Sequence, residues 1–148
     1  MNTSTKQHLL AIAIGLGLST GALADEGGGK TCSNATLHGR YGIQMQGTNV
    51  TPGGVAQNVI GVVNRYYDGK GGLWQLDSIK GTVGGIVPNR YGVGTYEVSD
   101  DCSVVLTFQP VPGFFIEERG VIVDNGFEVR TITVTPPTTM VTATHIRM

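Results

Sequence analysis

The chain has 148 residues, with ten basic against eleven acidic side chains. That near-balance, without a basic stripe, excludes the electrostatic footprint of a nucleic-acid binder. The length fits one domain, and glycine, at 23 residues, runs at about twice its usual share without forming a low-complexity block.

The first residues read as a targeting segment. Lys6 gives a positive start, Leu9 to Leu18 is an apolar run, and Ala22-Leu23-Ala24 supplies small residues where a signal peptidase reads. The apolar run is too short for a membrane-spanning helix. A signal peptide over 1–24 is expected, cut before Asp25, which leaves 148 − 24 = 124 residues. No cysteine follows the cut directly, so a lipid anchor is not expected, nor is membrane insertion after cleavage. The expected location is the periplasm or outside the cell. In such an oxidising compartment the pair Cys32 and Cys102 argues for one disulfide. Two free thiols or a bond between chains are the alternatives.

After a short segment at 25–35, the region 36–148 reads as one all-β domain. Val, Ile, Thr, Tyr and Phe dominate, and no stretch keeps a 3.6-residue period over three turns. Eight strands are predicted, at 36–46, 55–67, 73–83, 90–98, 102–109, 114–124, 127–135 and 139–147. Glycine, proline and Asx clusters separate them. Asn125-Gly126 is the strongest turn, since both residues tolerate the positive φ of a type I′ hairpin. Leu37, Tyr41, Ile43 and Met45 alternate with His38, Arg40, Gln44 and Gln46, one face inward and one outward. Eight such strands on short links predict an antiparallel up-and-down β-barrel, which removes sticky sheet edges. A two-sheet β-sandwich is the alternative.

Few stretches look chemical. Asn64 to Gln75 (NRYYDGKGGLWQ) offers Asn64 and Asp68 at two calcium-loop positions, but Tyr66 and Gln75 stand where two further oxygen ligands belong. A turn at Asp68-Gly69 is the expected reading. Gly29-Lys30-Thr31 resembles the tail of a phosphate loop, but residue 24 is Ala where the first glycine belongs. His38 and His145 are too few for a metal centre, and no Gly-x-Ser-x-Gly elbow occurs. Arg40-Tyr41, Arg65-Tyr66 and Arg90-Tyr91 recur at a spacing of 25. Asn34-Ala-Thr36 and Asn49-Val-Thr51 match the N-glycosylation pattern, which counts only in a eukaryotic secretory pathway. No cofactor, metal ligand or catalytic residue is assigned.

Asp77, Glu97, Glu117, Glu118 and Glu128 lie on predicted strands. Glu118 shares a face with Phe114, Ile116 and Ile122. If inward, it needs a partner such as Arg65 or Arg130. Tyr41, Tyr67, Trp74, Tyr96 and Phe108 are candidates to line an interior that holds a small ligand, together with Arg65 and Glu118. The plainer alternative is that the aromatics fill a barrel too narrow for a cavity.

The stretches Cys32 to Gly42 (CSNATLHGRYG), YYDGKGGL at 66–73, GTYEVSDDCSVVLTF at 94–108 and GVIVDNGFEV at 120–129 carry a resemblance. Together they resemble a group of uncharacterised exported bacterial proteins that begin Cys-x-x-x-x-Leu-x-Gly-x-Tyr. That resemblance implies a small β-barrel and a Cys32–Cys102 bond, and brings no activity. The opening is also similar to avidin and calycin-like proteins at barrel level only. A single tryptophan, Trp74, excludes a wall of tryptophans around biotin.

The expected function is an exported, non-enzymatic barrel that binds a small, partly apolar ligand or a protein surface. A barrel enzyme of the cyclase or isomerase kind would need Glu118 or Asp77 inward with a strongly shifted pKa. A solid structural barrel and an outer-membrane barrel are further alternatives. Against the last stand too few aromatics for two girdles.

Overall fold

A computed structural model describes residues 31–148. The expected signal segment and its cleavage point lie outside the described residues. Eight antiparallel strands in chain order close into an up-and-down barrel. They are β1 (His38–Val50), β2 (Ala56–Asp68), β3 (Gly72–Gly81), β4 (Gly85–Val98), β5 (Ser103–Val111), β6 (Phe114–Val123), β7 (Glu128–Thr135) and β8 (Met140–Arg147). Closure is made by β1 and β8, in register from Tyr41 opposite Arg147 to Thr48 opposite Met140. The sandwich alternative is thereby excluded.

Most strand positions follow the expected pattern, with two instructive departures. The first is at the start: residues 34–36 form a 3₁₀ turn, so β1 begins at His38 and not at residue 36, and it runs on to Val50. The second is at β4, which begins at Gly85 and not at residue 90. Pro88 cannot donate to a ladder. The sheet accommodates it with a register break between Asp77 and Ile79 of β3. There Asn89 takes a positive φ and its N–H donates to Ser78 Oγ at 3.2 Å. The Asn125-Gly126 turn is as expected. Asn125 lies at φ 55° and ψ 36°, Gly126 at φ 83°, and the Phe127 N–H donates to the Asp124 carbonyl.

The two ends of the barrel differ. The β2–β3, β4–β5 and β6–β7 turns gather at one end, where residues 32–37 cross the opening as a plug. Leu37 is fully buried beneath it. The Tyr96 hydroxyl bonds the Asn34 and Leu37 carbonyls, and Asn34 Oδ1 accepts the Val98 N–H at 2.8 Å. From the far side Arg147 Nη2 donates to the Thr36 carbonyl at 2.8 Å and to the Tyr41 hydroxyl at 2.9 Å. Tyr41 in turn donates to the Gly126 carbonyl. A Cys32–Cys102 disulfide ties the plug to the β4–β5 turn. Below the plug Tyr41 and Tyr96 each pack edge to face on Tyr67, with centroids 5.0 Å apart in both pairs, a favoured aromatic geometry. This half is solid.

Inward glycines thin the wall elsewhere. A Cβ on Gly94 would sit 2.2 Å from the Thr107 carbonyl oxygen and 2.6 Å from the Phe108 Cα. Only hydrogen lets β4 and β5 approach this closely.

The disulfide closes a loop over 70 positions. Replacing both cysteines by serine is expected to lower the unfolding free energy by about 4 kcal/mol. Urea titration of the oxidised protein beside the double variant measures it. An unchanged midpoint would show that the plug is held without the bond.

Candidate functional site

The middle of the barrel is polar. Alternation on β2 turns Arg65 and Tyr67 inward, and on β3 it turns Leu73, Gln75 and Asp77 inward. Glu118 of β6, Thr131 of β7 and His145 of β8 are buried from the other side. Arg65, 1% exposed, reaches across the barrel to Glu118, with Nη1 3.1 Å from Oε2. Its Nε donates to Gln75 Oε1 at 2.8 Å, and Nη1 also donates to the Tyr67 hydroxyl at 3.4 Å. Gln75 Nε2 passes the chain to Asp77 Oδ2 at 2.9 Å, and Arg90 Nε donates to Asp77 Oδ1 at 2.7 Å. Arg65 lies over the ring of Phe108, 4.7 Å from its centroid.

Elementary proton counting orients the rest. Arginine only donates, so the Tyr67 hydroxyl accepts from Arg65 and gives its own proton to His145 Nδ1, 2.9 Å away. His145 therefore carries its proton on Nε2, which donates to Thr131 Oγ1 at 3.3 Å. Thr131 then donates to Glu118 Oε2, also at 3.3 Å. The ring closes with every donor matched to an acceptor. Burial, and secondarily the Arg65 charge, hold the His145 pKa well below its usual value, so the imidazole is neutral as the ring requires. Burial pushes the Tyr67 phenol well up, and it stays protonated. Burial opposes the Arg65 charge, but Glu118 and Tyr67 more than offset it, so the guanidinium is firmly cationic.

On the side of the ring away from the plug lies a cavity of about 80 Å³. Its floor is Arg65, Gln75, Asp77, Arg90 and Glu118. Its walls are apolar, from Ile43, Val63, Phe108, Ile116, Val141 and Ala143. Phe114, Asn49 and Thr139 stand toward the mouth, where the four remaining hairpins end.

The candidate residues therefore divide. Arg65, Phe108 and Glu118 line the cavity. Tyr41, Tyr67 and Tyr96 lie in the solid half, although Tyr67 holds the floor through Arg65 and His145. Trp74 is corrected: it lies on the outer face, half-buried and stacked on Tyr66 at 5.6 Å. Its neighbours Leu73 and Gln75 take the inward phase, so Trp74 cannot. The Arg-Tyr repeat is not structural: Tyr41 points inward, whereas Tyr91 is exposed. Glu118 pairs with Arg65 and not with Arg130, which bonds Glu128 at the surface. In the Asn64–Gln75 stretch, Asp68 Oδ1 accepts the Lys70 and Gly72 N–H groups at 2.7 and 2.9 Å. Those bonds lower its pKa and fix a turn. No group of three metal-ligating side chains occurs among the described residues. Gln75 and Arg90, which line the cavity, and Thr131 and His145, which close the ring, are not among the expected site residues. Only the shared phase of Leu73, Gln75 and Asp77 signals the first of them.

No known family, curated protein or solved structure matches the chain. What the structure shares with the resemblance drawn from the sequence is the eight-stranded barrel.

Arg65→Met is expected to cost about 3–5 kcal/mol, because Glu118 is left as an uncompensated buried charge. Adding Glu118→Gln should recover part of that loss in a double-mutant cycle followed by urea denaturation. A cost under about 1 kcal/mol would mean that water replaces the guanidinium. His145 gives a pH signature. Unfolded, it titrates near 6.5, and folded, well below that. The unfolded state then binds more protons in acid, so its contribution is intact above about pH 6.5 and is lost as pH falls, by up to about 1.4 kcal/mol per pH unit. Replacing His145 by Asn should flatten that limb of the stability profile.

Proposed function

We propose that the protein is an exported, non-enzymatic barrel that binds a small, partly apolar ligand in the cavity. One observation carries the reading: the barrel is half solid and half hollow, and the hollow half has apolar walls over a polar floor. Binding sites for small molecules have that composition. The mouth continues the apolar surface, with Phe114 and Phe115 on the β5–β6 hairpin and Val83, Ile86 and Val87 at the β3–β4 hairpin all exposed. Export is supported by the Cys32–Cys102 bond, since disulfides persist in oxidising compartments.

The enzyme reading is weaker. Both inward carboxylates are already engaged, Glu118 by Arg65 and Thr131, Asp77 by Arg90 and Gln75. A general base for cyclase or isomerase chemistry needs a carboxylate that meets its substrate.

Native mass spectrometry of the protein purified from its own host's exported fraction is expected to show a reproducible added mass that denaturation releases. Ala143→Leu places extra carbons in the cavity and should reduce that adduct at least about tenfold, equivalent to about 1.4 kcal/mol of binding. Retention of the adduct in a folded Ala143→Leu protein would move the site elsewhere.

A further inference from the structure

We infer that the cavity selects a ligand with an uncharged head that both donates and accepts hydrogen bonds, such as a primary carboxamide or lactam on a short apolar body. This rests on the binding reading above and names its ligand class. The first ground is charge. The floor holds two cations, Arg65 and Arg90, and two anions, Asp77 and Glu118, each cation paired with an anion. A carboxylate brought to Arg65 meets Glu118 as a like charge. An ammonium group brought to Glu118 meets Arg65. Neither has an unshared counter-charge, and a charge entering a site without one is strongly disfavoured.

The second ground is the pattern of free valences. The bonds of Arg65 use Nε and Nη1, and those of Glu118 use Oε2. Nη2 of Arg65 and Oε1 of Glu118 lie outside the ring, and neither is among the buried polar atoms that lack a partner. Both side chains line the cavity. A guanidinium N–H donor beside a carboxylate acceptor is the complement of an amide, whose C=O accepts and whose N–H donates. Nearer the mouth Asn49 lines the cavity, and its Oδ1 is buried without a hydrogen-bond partner. Buried acceptors are nearly always satisfied, so a second ligand N–H has a place there.

The third ground is size. Benzene occupies an engineered apolar cavity of about 150 Å³, roughly twice this one at about 80 Å³. The enclosed part of the ligand is therefore a compact head. Its apolar body lies toward the mouth against Phe114.

The test is a matched series, hexanamide, hexanoate and hexylamine, titrated calorimetrically into the mature wild-type protein near neutral pH. Hexanamide is expected to bind at least about tenfold more tightly than either charged analogue. Tightest binding by hexanoate or hexylamine, or equal binding by all three, overturns the neutral-head assignment and leaves the cavity-binding reading standing. Binding by none of them also overturns it, and the native mass spectrum then decides separately whether the cavity binds anything. Glu118→Gln supplies the second arm. Removing the anion leaves Arg65 unbalanced, so the preference should move toward hexanoate by at least about tenfold. A folded Glu118→Gln protein that still prefers hexanamide by the wild-type margin contradicts the charge argument. The wild-type series decides the proposal even if that variant does not fold.

Discussion

A guanidinium in the middle of a barrel is the constraint on which the rest of this structure depends. Arg65 has almost no exposed surface, and an unpaired charge there would cost several kcal/mol. Its partner, Glu118, comes from β6, while Arg65 comes from β2. In a closed ring of eight those strands stand opposite one another. In an open sheet they would be separated by three intervening strands and could not touch through an interior. The ion pair therefore requires closure. The hydrogen-bonded ring through Tyr67, His145 and Thr131 adds β7 and β8 to the same contact, and Gln75 adds β3, so that one buried charge is held by five strands.

That ring also divides the interior. On one side the plug, the disulfide and the tyrosine cluster leave no room. Tyr96, Tyr41 and Arg147 there each bond a backbone carbonyl of the plug or of a turn. On the other side the chain places short or unbranched inward residues, including Ala143 and Met45, and a cavity remains. The difference follows from side-chain volume at equivalent inward positions, since an eight-stranded barrel is just wide enough for its own side chains to fill.

The sequence made the barrel legible because seven of its turns are written in glycine, proline and Asx residues and most strands alternate. The inward places of Tyr41, Tyr67, Tyr96, Phe108 and Glu118 follow from that alternation alone. β3 misleads for a physical reason. Two of its large apolar residues, Trp74 and Leu76, face outward, while Gln75 and Asp77 between and beside them face inward. A rule that puts apolar residues inside inverts there, because the interior at that level is an ion-paired chain and not a hydrocarbon core. The same cause hid Arg90 and His145. His145 meets Tyr67 of β2, 78 positions away, and nothing local in the sequence names that partner, whereas Arg90 pairs with Asp77 directly opposite it on β3. The early start of β4 was concealed by Pro88, which reads as a breaker until Ser78 is seen to receive the displaced backbone N–H of Asn89.

The physics of the floor bears on how the proposed ligand would be recognised. Groups whose geometry is fixed before binding need no reordering when a ligand arrives, and such preorganisation lowers the cost of association. Here the ring fixes Arg65 and Glu118 through bonds that do not use Nη2 or Oε1. Both side chains line the cavity, and the bonds of the ring hold them in place. Apolar contact at the walls and mouth would then supply most of the affinity, in proportion to buried area, whereas the floor would supply discrimination, because a mismatched head leaves a buried donor or acceptor unsatisfied. A barrel with a purely hydrocarbon interior would bind as many apolar molecules as fit. An ion-paired floor instead penalises every head group that cannot complete it, and so it converts a small hollow into a selective one.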